Sequence, residues 1–167
     1  MKRRTLMLAA GLLVTGLVNH AILEKERQLR DGVRVLLPLA PVDPRSLMQG
    51  DYMRLRYELE RDLMQILPKE ARQSDDGFLL VRVDEHGAAS LQQRVRERPE
   101  PLPAGMLALQ YRIRHGQLKL ASNAFFFEEG KGAVYQPARF GEFRVNEAGG
   151  LLLTGLYDAG YRRLGGD

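Results

Sequence analysis

The chain has no cysteine and only three histidines in 167 residues. Without thiols it forms neither disulfides nor Cys-based metal sites, and it has no cysteine to accept a lipid. His20, His86 and His115 lack metal-ligand spacing, so no metal and no cofactor are expected. Lysine is also scarce: beyond residue 30 only Lys69, Lys119 and Lys131 occur. No solenoid-length repeat and no low-complexity linker appears. A basic domain is missing as well, despite a formal net charge of +4. The first thirty residues carry six Lys/Arg against two Asp/Glu, whereas residues 31–167 carry nineteen of each. With the excess confined to one end, nucleic-acid binding loses its electrostatic drive.

That end contains a long uncharged run. Lys2, Arg3 and Arg4 precede residues 5–23, TLMLAAGLLVTGLVNHAIL. As a helix the run extends roughly 28 Å at 1.5 Å per residue, close to the ~30 Å hydrocarbon core of a bilayer. Basic residues at its start belong on the cytoplasmic side, which sends the rest of the chain across the membrane. A cleaved signal peptide is the rival reading. Ala21 fits the last removed position, but Asn19 is a poor partner two places earlier. The expectation is an uncleaved single-pass anchor in membrane lipid. Asn19 and His20 fall near its outer end, where headgroups and water solvate them, and residues 24–30 continue the helix. The chain thus divides into an anchor with its extension, 1–30, and an extracytoplasmic domain, 31–167.

Residues 31–167 are enough for one compact domain. Most segments read as strands. Residues 33–39 are β-branched and apolar. Met53, Leu55, Tyr57 and Leu59 alternate with Arg54, Arg56 and Glu58, the period of a half-buried strand. Leu59, Leu63, Ile66 and Leu67 then recur at helical spacing up to Pro68. Residues 74–77, SDDG, read as a turn before a strand at 78–83, which pairs with 90–95 across the turn 84–87. A proline-rich loop fills 98–103. Two further hairpins are expected, 106–113 with 117–120 and 140–145 with 151–156, and 161–164 adds a last short strand. The pattern predicts a mainly β fold, an antiparallel sandwich or open barrel with one or two short helices, preceded by the single transmembrane helix.

Residues 43–59 hold the densest set of signals. Asp43-Pro44 initiates a turn, Gly50 permits a positive φ, and Asp51 accepts backbone hydrogen bonds as the strand starts. In a regular strand Leu55 and Tyr57 face the core, and Tyr52, Arg54 and Arg56 face away. That outer face pairs with Asp43 or Glu58, or receives an anionic ligand. A second block, FFFEEGK at 125–131, places aromatic rings on both faces of a strand, so one ring is expected at lipid or a partner. Adjacent Glu128 and Glu129 point to opposite faces and do not grip one metal ion. Gly130-Lys131-Gly132 lacks the rest of a phosphate-binding loop and reads as a tight turn carrying a lysine.

With these residues in view, the chain resembles a bacterial protein family, GDYXXLXY. The resemblance rests on Pro-Val-Asp-Pro-Arg at 41–45, Gly-Asp-Tyr-Met-Arg-Leu-Arg-Tyr at 50–57, the 125–132 block, and Leu156-Tyr157-Asp158. It implies a membrane-anchored envelope protein, often associated with multi-pass membrane proteins, here with its domain in the periplasm and its helix in the inner membrane. It implies no reaction.

Three functions are open on these residues. The first is a non-catalytic accessory or interaction module acting with a multi-pass membrane protein. Its binding surface is Asp43, Arg45, Asp51, Tyr52, Arg54 and Arg56, with Glu128, Glu129 and Lys131 nearby. The second is a membrane-anchored hydrolase with Ser46 as nucleophile and one of the three lysines as base. The third is a small-ligand binder, which requires the arginines to line a pocket.

Overall fold

A computed structural model describes residues 2–40, 48–49 and 52–166. Helix α1 (Lys2–Asp31) comes first. From Met7 its apolar side chains are exposed all round: Met7, Leu8, Leu12, Leu13, Val14, Leu17, Val18, Ile22 and Leu23. A helix apolar on every side and unburied by protein matches a lipid environment. Residues Met7–Asp31 form one helix long and apolar enough to cross a membrane, near the amino terminus and unburied by protein.

The strands follow as β1 (Val33–Pro38), β2 (Met48–Gln49), β3 (Tyr52–Arg54), β4 (Ser74–Val83), β5 (Ala89–Val95), β6 (Met106–Arg114), β7 (Gln117–Lys119), β8 (Ala124–Phe126), β9 (Phe140–Val145) and β10 (Leu151–Tyr157). Two short helices, α2 (Glu58–Ile66) and α3 (Gly132–Tyr135), interrupt them. The fold is mainly β, and the strands pair antiparallel in three sheets ordered β1-β9-β10, β2-β3-β8 and β5-β4-β6-β7. Pro38 sits on β1, an edge strand, where its missing N–H costs no ladder bond in the sheet centre. The sheets share one core that includes Val35, Leu37, Leu55, Tyr57, Leu63, Leu109, Tyr111 and Phe143. Each such side chain contributes about 1.5–3 kcal/mol on burial. One carboxylate enters this interior. Glu142, 5% exposed, accepts from Arg34 Nε at 2.7 Å and from Thr154 Oγ1 at 3.0 Å, so its charge is matched.

The three expected hairpins form, β4–β5, β6–β7 and β9–β10. Two local readings change. Residues 74–77 open β4 instead of making a turn, because Asp75 and Asp76 lie opposite Ile113 and Arg112 in the β6 ladder. Cation–carboxylate pairs across strands hold them there. Arg94 grips both oxygens of Asp75, at 2.8 and 2.6 Å, and Arg114 reaches Asp76 at 2.8 Å. Tyr111 donates its phenolic hydrogen to Asp75 and accepts from Arg94 Nε at 2.6 Å; burial pushes its pKa up to about 12. Residues 161–164 make no strand, only a single bridge between Tyr157 and Arg163. Asp158 takes over: its Oδ1 accepts from the N–H groups of Gly160 and Arg162, closing a turn. That turn holds Tyr161, at φ +58°, between the rings of His86 and Phe140.

A buried glutamine fastens the end of α1 to the sheets, and Arg144 Nη1 adds a bond to Gly32 O just beyond the helix, at 3.1 Å. Gln28 is 5% exposed, and its amide donates to Arg144 O at 3.0 Å and Gly150 O at 2.8 Å. Its carbonyl accepts from Lys25 at 3.1 Å. The receiving carbonyls belong to β9 and the turn after it. In that turn Gly149 has φ +82°, and a β-carbon there would stand 2.6 Å from Ala108 O, so only glycine fits.

Candidate interaction cleft

The extended run 52–57 is held from both sides. Within β3, Tyr52, Met53 and Arg54 lie opposite Phe126, Phe125 and Ala124 of β8. Further on, Leu55 N–H donates to Asn123 O at 2.8 Å, and Ala40 N–H donates to Arg56 O at 2.9 Å. Leu39 and Tyr57 form a bridge. The expected alternation is present: Met53, Leu55 and Tyr57 are buried, and Arg54 and Arg56 are exposed. Tyr57 packs edge-on against Phe143 and donates to Ser122 O at 2.7 Å. Burial drives its phenol pKa upward, so it stays a neutral donor.

Directly after this run the chain enters α2, and strand and helix together wall a cleft of about 840 Å³. Tyr52, Arg54 and Arg56 line it with Glu60 and Arg61, facing Ser122 and Asn123. Among the described residues Arg54 makes no hydrogen bond or ion pair, and Arg61 meets only its neighbour Asp62, at 3.6 Å. Among the described lining residues the one carboxylate is Glu60, whose pKa is raised by burial, with Arg56 pulling the other way. Three guanidinium groups beside one carboxylate make the described lining cationic. Guanidinium forks of this kind bind carboxylate or phosphate in bidentate fashion.

Of the nine residues expected to bind, the cleft gathers Tyr52, Arg54 and Arg56. Asp43, Arg45 and Asp51 lie outside the described residues, as do the turn at Asp43-Pro44, the corner at Gly50, and Ser46. Glu128, Glu129 and Lys131 follow β8, the strand paired with β3, and are not in the cleft wall. Lys131 bridges Glu128 at 2.6 Å. That hydrogen bond raises the lysine's pKa, opposite to what a general base needs. Lys69 and Lys119 are exposed, so none of the three lysines is desolvated as a serine–lysine pair requires. Among the described residues no group of His, Cys, Asp and Glu is placed to hold a metal ion. Phe126 is the exposed ring of the aromatic triplet, at 73%, and its neighbours Phe125 and Phe127 pack on Tyr135.

Glu60, Arg61, Ser122 and Asn123 are cleft residues that sequence reasoning missed. The first two are detectable in principle, since the helix begins at the end of the motif strand. The other two arrive through a pairing between segments some seventy residues apart, which no local pattern encodes.

A β-rich domain on one apolar helix, with an arginine-lined cleft beside the motif strand, defines the class of protein. A family model described as GDYXXLXY protein matches residues 14–156, and the chain belongs to that family. Neither curated proteins nor solved structures gave a significant match. The letters of the family pattern fall on Gly50, Asp51, Tyr52, Leu55 and Tyr57. Its X positions fall on Met53, Arg54 and Arg56. The pattern thus includes the buried pair, Leu55 and Tyr57, that seats the strand, and leaves open the positions that make this cleft cationic.

Proposed function

We propose that this chain is a single-pass accessory module of the bacterial envelope. In this reading α1 stays in the inner membrane, Lys2, Arg3 and Arg4 remain cytoplasmic, and the sheets lie in the periplasm. The cleft receives an acidic extended segment of a multi-pass membrane protein. One observation carries the proposal: Arg54 and Arg56 line a concave surface while remaining exposed, and among the described residues neither is held in a side-chain ion pair. A small-ligand pocket encloses most of its ligand, typically 70–90% of the surface. Exposed guanidiniums along an open groove suit a peptide chain that approaches from outside and keeps its far side wet. Membrane anchoring favours a partner in the same bilayer, because confinement raises the effective concentration.

The test is site-specific photocross-linking. A photoreactive residue replaces Asn123 in the full chain, and cells are irradiated before membranes are solubilised. The expected product is a conjugate with an integral membrane protein through an acidic stretch, lost in the Arg54→Glu/Arg56→Glu variant. Conjugates unchanged by that charge reversal would overturn the reading, and so would none above background.

A further inference from the structure

A second cleft, of about 780 Å³, lies between the outer end of α1 and the loops that follow β5 and β9. Its depth follows from helix geometry. Leu23 ends the apolar run, and Gln28 lies five residues later, about 7.5 Å along the axis. The interfacial layer outside the hydrocarbon core is about 5–8 Å thick per leaflet. Because Gln28 bonds to Arg144 O and Gly150 O, the loops are held at that level. The cleft therefore opens among phospholipid headgroups.

Its lining matches that surrounding. Lys25, Arg27 and Arg98 stand against Glu24, Asp31 and Glu147 in one cavity. The charges balance, so a purely anionic guest leaves the site unbalanced, while a zwitterion meets both signs. Arg98 adds a specific demand. Its Nη1 bonds Glu100 at 2.8 Å, but its Nε is buried with no acceptor among the described residues. An orphaned guanidinium N–H in a cleft calls for an oxygen from outside. Val33 and Leu102 complete the wall with apolar surface, which suits a glycerol backbone and not inorganic phosphate.

We infer that this cleft binds the headgroup of a zwitterionic aminophospholipid, its phosphate on Arg98 and its ammonium towards Glu24 and Glu147. The inference rests on the membrane-spanning reading of α1 and is independent of the arginine cleft. Occupancy gives the domain a fixed height over the bilayer, which sets how the other cleft faces a partner.

Native mass spectrometry of the full chain, released from micelles containing equal phosphatidylethanolamine and phosphatidylglycerol, tests it. Wild type is expected to retain one phosphatidylethanolamine, at least fivefold over phosphatidylglycerol. Arg98→Gln is expected to lose it at least fivefold while melting normally in lipid-free detergent. If Arg98→Gln fails to fold, Ala148→Trp serves instead, since it fills the cleft from an exposed loop position. Equal retention of both lipids, displacement by millimolar inorganic phosphate, or retention undiminished in the cleft variant would each overturn the inference. The protein's mass in the same spectrum separates this from failure of the anchor reading, because cleavage near Ala21 removes the apolar run.

Discussion

The two clefts are built in different ways. The arginine cleft is walled by a strand whose backbone is bonded on both sides, so its side chains are displayed by a rigid support. The cleft at the foot of α1 depends on a helix end held by a few side-chain bonds, those of Gln28 and that of Arg144 to Gly32 O. Among the described residues the first presents three guanidiniums to one carboxylate; the second balances its charges. In the proposed function, rigid backbone with surplus charge selects a partner of opposite charge. A balanced cleft at headgroup depth selects a zwitterion and orients the whole domain. In this chain, charge pattern therefore follows location: the net-neutral domain concentrates cations where the motif strand faces outward and balances them at the end of the apolar helix.

The sharpest way to break the contrast is Gly149→Val. A side chain there meets Ala108 O and demands a positive φ, so a loss of about 3 kcal/mol or more is expected. Because the turn supplies one of the two carbonyls that hold Gln28, both the melting temperature and the lipid retention should fall. Loss of neither would show that the helix is held by other means.

Gln28→Ala is milder. It removes the two bonds to the sheet carbonyls and the one from Lys25, and should cost about 1–2 kcal/mol. Hydrogen exchange at residues 25–32 should accelerate more than at 52–57, which confines the damage to one region. Uniform acceleration would erase the distinction between the clefts.

Tyr57→Phe probes the other support. Loss of the bond to Ser122 O should cost about 1 kcal/mol with the edge-on contact to Phe143 retained. Denaturant melts check this.

Smallest is Arg54→Ala, expected within about 0.5 kcal/mol of wild type in stability while weakening association. Should the variant unfold instead, Arg54 is structural and the cleft reading fails. Glu60→Gln offers a pH signature. Burial raises the folded-state pKa of Glu60, so ionised Glu60 opposes folding at pH above that raised value. The variant should be the more stable at pH 7 to 8. Its advantage should shrink as pH falls through the raised value and vanish below the ordinary value of 4.5. An advantage that grew with acidity would contradict the burial.

Several features of the fold are legible in the amino-acid pattern alone. Strand alternation at 53–57 puts apolar side chains on one side whatever the partner strand is, and the three hairpins follow from turn residues between apolar runs. Residues 74–77 show the limit. Ser-Asp-Asp-Gly has every local mark of a turn, yet Arg94, Arg112 and Arg114 on other strands supply the countercharges that extend it. Residues 161–164 fail for the opposite reason, since Asp158 offers nearby N–H groups a closer acceptor than a neighbouring strand does.

By itself the sequence determined the apolar helix, the neutrality of residues 31–167 and the inward face of the motif strand. These depend on composition and short-range period, which one segment carries alone. Only the tertiary structure decided that Arg54 and Arg56 border a cleft with Ser122 and Asn123, and that Gln28 meets Gly150. Such contacts join segments about seventy and 122 residues apart, and their positions are set by how the sheets close over one core.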